Sequence, residues 1–459
     1  MPVALSNLLH VARDAMSVNA KALDVTGQNI ANVNTAGYAR RRVEIQARAA
    51  TQDSYGGVTV GSITRAADQL TQRRLLDVRG QEQSARERGD ALAPVEAALN
   101  DASGTGLAGG LTRLFDAFNA LASKPTDTTV RAGVLSAAEG ITQDFALVTE
   151  SIDTARADLL AKAQGYTRQL NENARAIAEL NGSIQSALSA GRDAADLLDR
   201  RDQLLGGLSE LVDVQIATNP NGSLFVRAAG QALVEGSTSS TFSVDLDASG
   251  NLAFKTSVGG SPATAFNAST MGGKLGGIRQ ARDEDMTATR QRLDALAGDL
   301  AASVNALHEA GFGLDGQTGR KLFAFDPAIG VRSLAVDAGV AGRPERIAAS
   351  ANAATGGNDV ARQLAGLDSS KTAAGGTKTL LDSYADLVGD LGLRRQKANG
   401  DADVKGALAD QVEALQQSTT GVSLDEEMVE LTRFQRAFEA SSKLLKTFDE
   451  LMQTLINSA

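Results

Sequence analysis

No cysteine and no tryptophan occur in the 459 residues. The first absence removes disulfides, thiolate nucleophiles and Cys-ligated metals, and leaves the redox compartment open. Aromatic residues are scarce at 4% of the chain, while 46 glycines are present beside abundant alanine. Small side chains bury little area each but let helices approach closely, which suits extended bundles better than a thick globular enzyme. Histidine is nearly absent too. A His-based metal triad or a Ser-His-Asp arrangement would have to use His10 or His308, and neither stands in a suggestive context. Nor is there a basic balance: the net charge of −10 argues against nucleic acid as a partner. Met1 to Asp14 lack the basic and apolar regions of a cleaved signal peptide. No stretch approaches the roughly 20 apolar residues that span a bilayer.

What is present is clearest at the two ends. Ala4, Leu8, Val11, Ala15, Val18, Ala22 and Val25 alternate at spacings of four and three, an a/d heptad seam continued by Asn29 and Asn32. Leu431, Phe434, Phe438, Ser441, Leu445, Phe448, Met452 and Leu455 repeat the alternation at the other end. Ser423 with Glu426 reads as a capping box, and Asp425, Glu426 and Glu427 suit the positive end of a helix dipole. One such helix would more simply dock on the protein's own core. Two strict heptads at opposite ends favour a coiled coil, either end to end or between molecules.

The length allows two or three domains. Leu70, Leu76, Leu92, Val95 and Leu99 mark one helix, and Leu111 to Leu121 a short second stopped before Pro125. Val130 to Leu159 mark a long third that continues to Leu188 unless Gly165 interrupts it. From Val212 to Phe266 the period changes to two. Val214 to Ile216 with Ser223 to Val226, and Phe242 to Leu246 with Leu252 to Phe254, read as hairpins. A further helix runs through Leu293, Leu296, Leu300 and Leu307, and residues 326–376 read as irregular. The expected fold is mainly α: a long helical bundle or coiled coil with discontinuous N- and C-terminal helices paired, plus a small antiparallel β subdomain. The expected division joins residues 1–64 with 423–459 as a terminal assembly domain with its N-terminal linker. Residues 65–422 then form a helical core holding the β subdomain at about 212–270.

Three near-motifs point to chemistry and fail on context. Gly104, Gly106 and Gly109 spell GxGxxG, but a helix precedes them where a phosphate loop needs a strand. His308-Glu309 opens like a zinc-protease helix, yet Phe312 stands at the second ligand position. Asp245, Asp247, Ser249 and Gly250 imitate a calcium loop, with Thr256 where the bidentate Glu belongs. No catalytic, cofactor or metal residues are assigned.

The run from Asn29 to Arg40, with Asn32, Gly37 and Tyr38, resembles a signature shared by flagellar rod, hook and hook-associated subunits. Gly37 suits positive φ at the helix end, where Tyr38 can pack back. Two further segments narrow the resemblance. Asp196 to Leu204, containing Leu198, Asp199, Arg201 and Asp202, is similar to a stretch of the hook-associated protein 1 family. Gly421 to Met428, with Ser423, Leu424, Asp425 and Glu426, resembles that family's C-terminal signature. The resemblance implies a non-enzymatic subunit at the extracellular hook–filament junction, secreted through the flagellar type III export apparatus. It further implies self-association in a ring, contacts with the hook protein and a second junction protein, and an export chaperone on the C-terminal segment. Many members insert a β-rich outer domain after the segment matched by Gly311 to Gly316, where this chain has only a short run from Lys321 to about Ala349. The competing readings are another axial protein, which would lack the Asp196 to Leu204 segment, and a secreted enzyme on a related scaffold, which would need a nucleophile or metal cluster.

Overall fold

The computed structural model describes residues 2–35, 37–49, 56–100, 104–354 and 356–458, without the side chains of residues 2–6, 455, 456 and 458. Helix α1 (Pro2–Ala31) and helix α10 (Leu424–Ser458) lie along each other. The C-terminal end of α1 meets the N-terminal end of α10, where Asn29 donates to Glu427 at 2.9 Å. The terminal pair is therefore antiparallel. Strands β1 (Arg41–Arg48) and β2 (Gly57–Arg65) form a ribbon laid against α1, with Arg48 reaching Asp14 at 3.0 Å. The sequence reading has only a linker here. Val43 and Ile45 do alternate, but a bulge between Glu44 and Ile45 shifts the register, and apart from Arg41 the ribbon's side chains stay half-exposed or exposed.

Beyond the ribbon, α2 (Gln69–Leu99) begins at Asp68, whose carboxylate accepts from the Leu70 and Thr71 amides. It pairs along its length with α9 (Leu380–Thr420), a helix not anticipated from the sequence. The contact face of α9 is Leu380, Tyr384, Leu387, Leu391, Ala398, Ala402, Ala409 and Val412. Small residues set this contact: a methyl added at Gly89 would lie 2.1 Å from Asn399 Oδ1.

The core follows: α3 (Leu107–Ser123), α4 (Thr128–Ser189) and α5 (Ala195–Leu211). Gly165 does not interrupt α4, which runs 62 residues. A six-stranded antiparallel meander comes next: β3 (Val214–Thr218), β4 (Leu224–Ala228), β5 (Gln231–Glu235), β6 (Thr238–Leu246), β7 (Leu252–Val258) and β8 (Thr264–Ala265). Both expected hairpins are present within it. Helix α6 (Gly273–Arg279) passes through a π-helical turn into α7 (Met286–Ala310). Leu111, Leu114, Phe118, Ile141, Phe145, Leu293 and Leu300 are fully buried in one continuous apolar cluster. At about 25 cal/mol per Å2, such large side chains are the main source of stability.

Buried and half-buried asparagines tie helices to strands by one repeated device. Asn171 on α4 donates to the Phe242 carbonyl and accepts from the Phe242 amide, both at 2.8 Å. Asn181 holds Leu224 in the same two-handed way, and Asn305 on α7 bridges Phe323. Each side-chain amide imitates one rung of a β-ladder.

Among the described residues, 326–376, expected to be irregular, hold short elements: β10 (Ala335–Val336), paired with the preceding β9 (Phe323–Ala324), α8 (Asp359–Ala365) and three 3-10 turns. They are nevertheless tied down, with Val331, Val340 and Ile347 buried. His308 holds this segment, since its Nδ1 lies 2.7 Å from the Arg320 carbonyl and its Nε2 accepts from Ala348 N at 3.0 Å. Those partners fix a neutral ring with the proton on Nδ1, and burial pushes its pKa down. Arg131 adds a second tie from α4, donating to Pro125 O and Ile347 O.

Candidate assembly interface

The terminal seam is deep at one end and open at the other. Val18, Ala22 and Val25 are buried beside Ala12. Ala15 is half-buried, whereas Val11 and Leu8 are 37% and 59% exposed. On α10, Ser441 is buried, and Leu431, Phe434, Phe438, Leu445 and Phe448 are half-buried. Met452 is exposed, and the Leu455 side chain lies outside the described residues. Two helices alone do not bury both their apolar faces, so the seam is left partly open to a further helix.

At the deep end three distant segments converge. Asn29 is 1% exposed and uses its full hydrogen-bonding capacity. Its Nδ2 donates to the Arg41 carbonyl and to Glu427 Oε2, each at 2.9 Å. Its Oδ1 accepts from Arg41 N at 3.0 Å and from the Tyr38 hydroxyl at 2.9 Å. The helix-to-strand device of the core thus recurs between α1 and β1. Three arginines surround it. Arg40 pairs with Glu426 and, at 2.6 Å through Nε, with Glu427, while its amide donates to Thr420 O at 2.9 Å. Arg41 Nη2 lies 2.5 Å from Asp196 and 3.3 Å from Asp199, and its guanidinium stacks 4.9 Å from the Tyr38 ring. Arg65 closes the group, 2.6 Å from Asp199 and 2.5 Å from Asp202.

Electrostatics follow from this geometry. Burial by itself would lower the Arg40 and Arg41 pKa values. The carboxylates of Glu426 and Glu427, and of Asp196 and Asp199, outweigh it and raise both. Burial pushes Asp199 up against the pull of Arg65 and Arg41, and burial likewise raises Tyr38. Removing one partner from such a group leaves a desolvated charge, which costs far more than a surface pair.

The remaining motif residues divide among other tasks. Asn32 Nδ2 donates to Gln28 O at 2.9 Å, closing the last turn of α1. Gly37 lies beyond the helix, in a turn closed from Tyr38 N to Thr35 O, with φ of +77°. A methyl there would lie 2.6 Å from Gln203 Nε2. Arg201 points away from the knot, bonding Asn181 Oδ1 at 3.0 Å and Gly222 O at 2.8 Å. Leu198 packs on a satellite cluster around Ile184. At the start of α10 the Ser423 carbonyl accepts from Glu427 N at 3.0 Å, and Asp425 and Leu424 are exposed. The capping box expected of Glu426 gives way to its pairing with Arg40. Sequence reasoning missed Arg40, Arg41, Arg65, Asp196 and Glu427 as one group. Two signals were available: three consecutive arginines in an acidic chain, and aspartates three apart on one face of α5.

Gly104 and Gly106 precede α3 and Gly109 lies in its first turn, and Asp247 Oδ1 accepts from Ser249 N and Asn251 N to close the β6–β7 turn. Among the described residues no group of three His, Cys, Asp or Glu is arranged to hold a metal, and no helix is long and apolar enough to cross a membrane.

Comparison with known proteins bears on the same segments. The family model of the flagellar hook-associated protein FlgK helical domain matches residues 92–323. The model of the flagella basal body rod protein matches residues 9–38, and that of the flagellar basal body rod FlgEFG protein C-terminal region matches 416–458. Flagellar hook-associated protein 1 of Bacillus subtilis is 27% identical over 499 residues, covering 98% of this chain and 97% of the relative. The protein of that name in Escherichia coli is 25% identical over 548 residues, covering 99% and 100%. These spans exceed the chain's own 459 residues, so the relatives carry segments that it lacks. The flagellar hook junction protein FlgK of Burkholderia pseudomallei has a similar fold, with a TM-score of 0.67 at 17% identity over 76% of this chain and 100% of that one.

Proposed function

The chain belongs to the flagellar hook-associated protein FlgK family, and from that premise we propose that its terminal helix pair is the assembly element and the ion-paired knot its attachment to the core. It is a structural subunit of the bacterial flagellum at the junction of hook and filament. The observation that carries the finer reading is the convergence of the three motif segments at Asn29, Asp199 and Glu427. A knot of this kind fixes the direction in which the terminal pair leaves the core, and that direction decides how neighbouring subunits meet.

On this reading residues 1–64 with 423–459 act as one assembly unit and residues 65–422 as a packing body without catalytic activity. Copies associate in a ring and meet the hook protein on one side and a second junction protein on the other. The chain reaches its extracellular place through the flagellar type III export apparatus, with a chaperone on the C-terminal segment before export. A chain without cysteine suits passage in an unfolded state. Electron microscopy of flagella from a deletion strain tests the reading. Finished hooks without filaments are expected. Truncated hooks would assign the chain to hook building instead.

A further inference from the structure

Asn181, Asn221 and Asn399 are each followed by glycine. In such a pair the glycine nitrogen can attack the asparagine side-chain carbonyl, because no Cβ stands in its way. The fold treats the three pairs differently. Asn181 lies inside α4, fully buried, with its amide bonded to Leu224, Gly236 and Arg201. Asn399 lies inside α9. Within a helix the following nitrogen is tied to a carbonyl one turn back and points along the axis, away from the side chain. Neither of these pairs closes a ring while its helix is intact.

Asn221 is exposed in the turn between β3 and β4. Its Oδ1 accepts from Ser223 N at 3.1 Å and from the Ser223 hydroxyl at 2.7 Å. Asn219 Nδ2 donates to the same hydroxyl at 3.0 Å, which leaves the serine proton for Asn221. Ser223 is 2% exposed, so both donors are held in place and shielded from water. They point at the oxygen on which negative charge develops when the side-chain carbonyl is attacked, the arrangement of an oxyanion hole. One bond opposes the attack: Gly222 N donates to Asn219 O at 3.0 Å and must let go first. A lone turn bond at the surface opens far more readily than one inside a long helix.

We infer that Asn221 is a self-modifying site, converted to a carboxylate by its own turn. Gly222 N adds to the Asn221 side-chain carbonyl carbon and gives up its proton. The Asn221 amide nitrogen takes up a proton and leaves as ammonia, and a cyclic imide remains. Water then opens the imide at one of its two carbonyls. The sum is one amide and one water giving one acid and one ammonia, with no oxidant and no cofactor. Opening at the main-chain carbonyl gives isoaspartate, and opening at the other gives aspartate. Aspartate keeps both bonds from Ser223, since a carboxylate oxygen accepts them equally well. It also brings a negative charge beside Gly222, whose carbonyl holds Arg201 at 2.8 Å. Arg201 is buried and bonded to neutral partners, Asn181 Oδ1 and Gly222 O, so the new charge eases its desolvation. Isoaspartate lengthens the backbone and displaces Gly222, which packs so closely that an added methyl would lie 2.6 Å from Leu188 Cδ1. One product therefore tightens the turn and the other loosens it. The inference stands apart from the junction reading and does not depend on it.

The test is ageing of the purified full chain at mildly alkaline pH in heavy-oxygen water, followed by peptide mass spectrometry with fragmentation that separates the two acids. Asn221 is expected to take up the label as aspartate and isoaspartate, while Asn181 and Asn399 stay amides until denaturant is added. Asn221→Gln is expected to remove the more acidic form of the intact chain that ion exchange resolves. Ser223→Ala takes away the hydroxyl donor and is expected to slow conversion about tenfold, the worth of one hydrogen bond to a charged group. Ser223→Thr keeps the hydroxyl and is expected to convert at the native rate, which separates the donor's role from any loosening of the turn. An Asn221 that stays an amide in the folded chain, equal conversion of Asn181 or Asn399, or an undiminished rate in Ser223→Ala would each overturn the inference.

Discussion

The core and the terminal pair are built from the same helix period but held in different ways. In the core, Phe118, Phe145, Leu111 and Ile141 are fully enclosed by other apolar side chains. In the terminal pair Val18, Ala22 and Val25 are the enclosed apolar residues of the predicted α1 seam among the described residues, and the attachment to the rest is polar, through Asn29 and five carboxylates. Apolar burial is non-directional and stabilises wherever area is lost to water. Hydrogen-bonded charge is directional and costly when mismatched. On the proposed division the core is stable by itself, while the terminal pair is specified in direction and is completed by contacts with neighbours.

The largest expected effect breaks the core side of this comparison. Phe118→Ala should cost about 3–5 kcal/mol and shift the whole unfolding transition in denaturant. A response confined to the termini would show that the two regions are not distinct. Next comes the joint. Asn29→Ala strands the Arg41 amide and carbonyl, a loss of about 1–3 kcal/mol for each buried group left unpaired. Proteolysis within residues 33–64 should accelerate, while the core midpoint stays unchanged. Leu445→Asp or Phe448→Asp should act at the seam, abolishing incorporation into flagella with the core's circular dichroism intact. Loss of the whole helical signal would refute the division.

A smaller effect sharpens the comparison through pH. The folded chain keeps His308 neutral, with its pKa below the ordinary value, because burial opposes charge and Ala348 N–H occupies Nε2. The unfolded chain takes up a proton near pH 6.5. Below that pH the unfolded state binds more protons, so this contribution is full above about pH 6.5 and is lost as pH falls. His308→Gln should flatten the slope of stability against pH between about 5 and 6.5, read from denaturant midpoints in a pH series.

Much of this was legible in the sequence where large apolar residues mark the period. Leu111, Phe118 and Ile141 gave α3 and α4, and Phe242 with Phe254 gave the β6–β7 hairpin. Helix α9 was invisible because its contact face passes through Ala398, Ala402 and Ala409, which look like filler until Gly89 is set against them. Of the expected seam Val18 is buried and Leu8 is exposed, since a heptad specifies a face but not how much of it one partner covers. The knot was hidden for a different reason. Asn29, Asp199 and Glu427 are far apart in the chain, and no local pattern says which arginine meets which carboxylate.

Amide hydrogen exchange on the purified monomer tests the central contrast most directly. Isolated helix pairs are marginal, because ordering each residue costs about 1–2 kcal/mol and a seam of Ala and Val returns little of it. The amides of α3, α4 and α7 are expected to exchange slowly, and those from Leu8 to Val25 and from Leu431 to Leu455 fast, slowing on assembly. Protection of the terminal helices equal to that of the core helices in the free monomer would contradict the account.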